Sequence, residues 1–80
     1  MRNLSNSEIE EFRELIANKA FIDPHEVEND SRLTDLGLDS IDFVELVMEA
    51  EDLFNIVIPD SECYDVQTVQ EFVDVIQKHL

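Results

Sequence analysis

Apolar residues recur at three- and four-residue spacing in three stretches of this chain and lose that period between them. In the first, Ile9, Phe12, Leu15 and Ile16 share one side while Glu8, Glu11 and Glu14 fall mostly elsewhere, which predicts an amphipathic helix ending near Lys19. Ser5 and Ser7 are alternative N-caps, each followed three residues on by glutamate (Glu8, Glu10), the spacing of a capping box. The second stretch starts at Asp39 as N-cap, with Asp42 at the third helical position, and runs to about Asn55 without proline or glycine. Ile41, Val44, Val47, Met48 and Phe54 read as its main buried arc, and Phe43, Leu46, Ala50 and Leu53 widen the apolar surface beyond one stripe. That width predicts a central helix touched by several neighbours, or one with apolar surface left for a partner. In the third, Thr68 caps a helix carrying Val69, Phe72, Val73 and Ile76, with Lys78 and His79 favourably placed at its end.

The intervening stretches are read from their anchors. Residues 20–39 have no helical period, but Phe21, Ile22, Val27, Leu33, Leu36 and Leu38 can each pin them to a core, so a long packed crossover is expected. Asp23-Pro24 within it has the chemistry of a cap followed by proline at the first position of a short helical turn. Ile56-Val57-Ile58 is β-branched, yet no second strand is available to pair with it, and an extended loop is expected. The residues from Pro59 to Tyr64 suit a short third helix or turn. The sum is an all-α protein, a small four-helix bundle of three long helices and one short, with a long loop between the first and second. At 80 residues the chain is too short to sustain two cores, so a single domain over residues 1–80 is expected.

Charge narrows the partners. Twenty acidic residues against five basic give a formal charge of -15, which argues against nucleic acid or an anionic membrane and for basic partners. With 44% apolar residues in periodic order, the acidity is not read as disorder. One cysteine, Cys63, cannot form an intramolecular disulfide and has no basic neighbour in sequence to activate it, so it reads as a small filler. No signal segment opens the chain, and its uninterrupted apolar runs are too short to span a bilayer; a cytoplasmic monomer with no membrane insertion is expected.

Candidate chemistry gathers at Ser40. The only glycine, Gly37, gives a loop room to turn, and Asp39-Ser40 then places a serine hydroxyl at a helix mouth. A nucleophilic serine needs a positioned base, and the only histidines, His25 and His79, lie in no catalytic motif. Asp30, Asp35, Asp39, Asp42 and Glu45 crowd together without the spacing of a calcium loop, so no specific metal site is expected. A phosphate ester on Ser40, by contrast, would lie beside free N–H groups at the positive end of a helix dipole. Read alone, a serine at a helix start is usually just a cap. Beyond it Asp42, Glu45, Glu49 and Asp52 recur in one narrow stripe, either a solvated face or a docking surface for basic partners. Glu51 interrupts the apolar arc and either pairs with an arginine such as Arg13 or reaches past the packing into water.

Leu36-Gly37-Leu38-Asp39-Ser40-Ile41-Asp42, followed by Val44-Glu45-Leu46-Val47-Met48, Phe54 and Ile58-Pro59-Asp60, resembles the signature of the acyl carrier protein family, most like the free-standing carriers of bacterial (type II) fatty acid synthesis. The resemblance extends from the first helix to Thr68-Val69-Gln70. It implies an acyl-carrier bundle without catalytic activity, in which a phosphopantetheinyl transferase attaches 4'-phosphopantetheine from coenzyme A to Ser40, with Asp39 as the motif residue that starts the helix. It also implies that the arm's thiol carries acyl chains as thioesters. Asp39, Asp42, Glu45, Glu49 and Asp52 would then dock basic-surfaced acyltransferases, ketosynthases, reductases and dehydratases. Val47, Met48, Ile58, Val69, Phe72 and Ile76, most simply core, would include the lining of an acyl pocket. Ile41 stands where the family usually has leucine, and Phe43 and Leu53 at positions often polar in it. Those departures keep open a carrier dedicated to a polyketide, specialised lipid or aminoacyl pathway; an unmodified acidic helical interaction module is the remaining alternative.

Overall fold

A computed structural model describes residues 3–80, and its elements are helices α1 (Asn6–Ala20), α2 (Ser40–Phe54), α3 (Asp60–Cys63) and α4 (Val69–Lys78), with a single 3-10 turn at Pro24–Glu26. Three of the four helices and the 3-10 turn start on a reciprocal capping box. Of the two candidate caps for α1 the chain uses Ser5, whose hydroxyl accepts from the Glu8 amide at 3.2 Å while Glu8 accepts from the Ser5 amide at 3.0 Å. Asp39 and Asp42 do the same for α2 and Thr68 and Glu71 for α4, and Asp23 caps the 3-10 turn with Pro24 at its first position. Each cap satisfies amides that a helix start leaves without partners. α3 starts at Pro59 with no side-chain cap bond, and it is four residues long.

The buried residues form one cluster, with an aromatic centre at Phe12 of α1. Its ring meets Phe72 of α4 edge-on at 4.8 Å and Phe54 of α2 at 6.4 Å, while Phe43 lies tilted on Phe72 at 5.3 Å. Such pairs add about 0.5–1.5 kcal/mol each beyond the area they bury. Val69, Phe72, Val73 and Ile76 are all buried, as α4's pattern predicts.

The crossover is packed, though not on every expected anchor. Val27, Leu33 and Leu38 are buried, and Ile22 and Leu36 pack against the core. Phe21 does not: its ring is 95% exposed. The chain leaves α1 through Phe21 in the left-handed region at φ 59°, which returns the Ile22 amide to the Ala17 carbonyl at 3.0 Å. Ile22 packs in its place. Arg13 ties the crossover down from α1, donating to the Val27 carbonyl at 2.7 Å and to Asn29 at 2.6 Å. Farther on, amides of Leu33, Val69 and Gln70 bond carbonyls of Gln67, Ser31 and Asn29 at 2.8–3.1 Å, so residues 29–33 and 67–70 form a hydrogen-bonded seam.

α2 is rotated relative to the expected arc. Leu46, Val47, Ala50 and Phe54 are buried and Phe43 packs beside them, but Ile41, Val44 and Met48 are 69%, 56% and 53% exposed. Apolar residues occupy so much of the circumference that periodicity alone does not single out the inner third. The choice is made by neighbours: α1 and α4 bring Phe12 and Phe72 to the Phe43–Phe54 side. Both expectations for so broad a helix describe it: α1 and α4 touch it on one side, and apolar surface is left over on the other. Glu51 takes neither expected role; its carboxylate accepts from the Ile58 amide at 2.9 Å and so fixes the extended loop after α2.

Candidate functional site

Ser40 is the first residue of α2, and its position follows from the turn before it. Gly37 has φ 87°, a left-handed conformation in which any side chain would strain the backbone although a Cβ would meet only open space. Gly37 and Leu38 amides bond back to Thr34 and Leu33 carbonyls at 3.0 and 3.2 Å, and Leu38 is buried, so the turn is fixed immediately before the helix. Asp39 then accepts from the Asp42 amide at 2.9 Å and Asp42 from the Asp39 amide at 3.1 Å. The side chain of Ser40 is exposed and hydrogen-bonds to none of the described residues. The amides of Ser40 and Ile41 stay open at the mouth, because an α-helix gives its first residues no intrahelical acceptor. A hydroxyl with no structural employment, next to two open N–H groups at a helix N-terminus, fits an attached phosphate ester.

An open groove of about 740 Å³ runs from Ser40 between the crossover, the start of α2 and α3. Leu33, Leu38, Phe43, Val44, Cys63, Tyr64 and Val66 give it apolar walls, and Arg32 and Gln67 stand on its polar side, their side chains 3.3 Å apart. These residues come from two stretches, 32–44 and 60–67, and nothing in their local pattern pointed to a common surface. Burial holds the Cys63 thiol above its ordinary range, helped by the Asp60, Glu51 and Glu62 carboxylates. Its Sγ donates to the Pro59 carbonyl at 3.7 Å, and the side chain packs on the core as a filler does.

The residues expected at an acyl pocket lie elsewhere. Val47, Ile58, Val69, Phe72 and Ile76 are buried in the core, and Met48 stands half-exposed on the outer side of α2. Phe43 links the two regions, since it lines the groove and its ring rests on Phe72.

The carboxylates expected to dock partners do share the outer side of α2: Asp39, Glu45 and Asp52 are exposed, Asp42 and Glu49 partly so. Ile41, Val44 and Met48 run alongside them. One cation intrudes from α1, for Lys19 Nζ lies 3.5 Å from Glu45 and 3.6 Å from Glu49. Sequence reading placed Lys19 only as a helix C-terminal charge. Among the described residues no three His, Cys, Asp or Glu side chains are grouped to hold a metal ion, and no helix is long and apolar enough to cross a membrane.

Fold and site together define a small helical bundle that presents an exposed serine at the mouth of its second long helix. The phosphopantetheine attachment site family matches residues 10–76. An acyl carrier protein of Campylobacter concisus is 40% identical over 70 residues, spanning 86% of this chain and 91% of that one. The crystal structure of an acyl carrier protein from Thermotoga maritima superposes with a TM-score of 0.76 at 34% identity, over 88% of this chain and 82% of that one. A mupirocin didomain ACP shares the fold, with a TM-score of 0.81 at 22% identity over 96% of this chain; the chain spans 43% of that didomain. The chain belongs to the acyl carrier protein family: it is a carrier whose cofactor is covalent 4'-phosphopantetheine.

Proposed function

We propose that residues 1–80 act as a single carrier domain that holds acyl intermediates as thioesters on a 4'-phosphopantetheine arm at Ser40, in cytoplasmic fatty acid synthesis. The exposed, unbonded Ser40 hydroxyl at the head of the groove carries this reading. In loading, the Ser40 oxygen bonds the pantetheine-side phosphorus of coenzyme A and adenosine 3',5'-bisphosphate leaves; a separate phosphopantetheinyl transferase catalyses the exchange. The open Ser40 and Ile41 amides would hold the phosphate of the attached group, and Asp39 fixes the helix start that would present it. Once attached, the arm supplies the thiol on which acyl groups are held. The apolar groove walls then offer the arm and its cargo a place beside α2 away from water.

Asp39, Asp42, Glu45, Glu49 and Asp52 steer acyltransferases, ketosynthases, reductases and dehydratases by long-range attraction, and Ile41, Val44 and Met48 supply the short-range apolar contact. The fatty acid context is supported by the likeness of the Leu36–Asp42 signature to type II carriers and by 40% identity to the Campylobacter protein. Val47, Ile58, Val69, Phe72 and Ile76 border the space into which a longer chain would press past Phe43, with Met48 at its outer edge.

Intact mass after incubation with coenzyme A and a broad-specificity phosphopantetheinyl transferase is the test. The parent is expected to gain one phosphopantetheine and Ser40→Ala none. A folded, initially unmodified parent that gains nothing, even with a transferase from its own source, would return the chain to the interaction-module alternative.

A further inference from the structure

Phe21 combines two features that work against its residue type. Its backbone is left-handed at φ 59°, where a bulky side chain is strained and glycine is not, and its ring is 95% exposed, so burial returns nothing. With Leu15, Asn18 and Lys19 of α1, Phe21 lines a notch of about 360 Å³ that Asp42 and Glu49 of α2 close from the other side. The charged lining of the notch is Lys19 against Asp42 and Glu49, and Lys19 is shared between Glu49 and Glu45 outside it, so the notch keeps negative charge.

An aromatic ring beside uncompensated carboxylates is suited to a guanidinium. That group is flat enough to stack, forked enough to pair with a carboxylate, and weakly hydrated, whereas an ammonium is compact and strongly hydrated. We propose that Phe21, Asp42 and Glu49 form a socket for an arginine side chain of an enzyme docking on α2. The proposal rests on the acidic-face reading above and extends that face across to the end of α1. The arginine stacks on the Phe21 ring and pairs with Asp42, whose position in the α2 capping box fixes the direction of approach.

NMR titration of the folded chain at low salt, with L-argininamide and L-lysinamide as probes, tests this directly. Argininamide is expected to shift the Phe21 ring and the Asp42 and Glu49 amides with about two- to fivefold higher affinity than lysinamide. Phe21→Gly should abolish that preference while raising the thermal midpoint, because glycine relieves the backbone. Phe21→Leu, which keeps the strain and loses the ring, should abolish the preference without raising the midpoint. Equal affinity for the two probes in the parent, or a preference that survives in both variants, overturns the socket. Ser40 loading of the same samples reports the carrier reading separately, and the salt dependence of that loading reports the acidic face.

Discussion

Glu51 lies on the same helix as Asp42, Glu45, Glu49 and Asp52 but turns away from them, to an amide rather than to water or a cation. The bond to Ile58 spans seven residues and is partly buried, so its loss strands a backbone donor. Glu51→Ala is therefore expected to lower unfolding stability by about 1–2 kcal/mol, measured by urea denaturation, with little effect on Ser40 loading. Single residues were legible where their partner lies three positions away. Asp39 with Asp42 and Thr68 with Glu71 announce their bonds in sequence, because a capping box has fixed spacing. Glu51 was not legible, since its partner is a main-chain group with no residue signature. Phe21 misled for a related reason: its composition says core, and only the chain reversal at the end of α1 decides that Ile22 goes inward instead.

At the scale of elements, helix positions and order were legible, and the rotation of α2 was not. Three amphipathic periods and their caps fix where helices begin, but α2 has apolar residues on more than one side and its inner face is chosen by the rings that α1 and α4 deliver. The groove beside Ser40 is equally a product of assembly, because residues 32–44 and residues 60–67 meet there from separate stretches. Contact between α1 and α2 also modifies the proposed docking face. Lys19 holds Glu45 and Glu49 and so competes with the cations of an incoming partner. Lys19→Gln should speed association with a basic partner a few-fold at low salt and steepen its salt dependence. Stopped-flow binding to the phosphopantetheinyl transferase across a sodium chloride series checks both; an unchanged slope would mean that Lys19 does not screen this face.

The whole molecule carries its charge at the expense of its stability. A formal charge of -15 on 80 residues repels itself in the compact state, and sodium chloride at pH 7 is expected to raise the thermal midpoint by screening it. Acid acts in the other direction through specific bonds. Amide donation from His25 lowers the Asp23 pKa, Lys78 and then His79 lower that of Glu62, and amides of Gln67 and Thr68 lower that of Glu71. With folded values below unfolded ones, the stability from these contacts is complete above about pH 4.5 and is lost as pH falls through the folded values. The urea midpoint should decline through that acid range, and Glu71→Gln should flatten the decline.

The seam between residues 29–33 and 67–70 also bears on which wall of the groove gives way. Those segments are joined by main-chain bonds at Leu33, Val69 and Gln70. Another wall is α3, uncapped and four residues long, where Cys63 packs on the core and Glu62 reaches Lys78 and His79. A groove with one stitched side and one latched side has a direction of swelling built into it. Cargo of increasing length should be met by outward travel of α3, with hydrogen exchange quickening at Asp60–Cys63 while the stitched side keeps its protection.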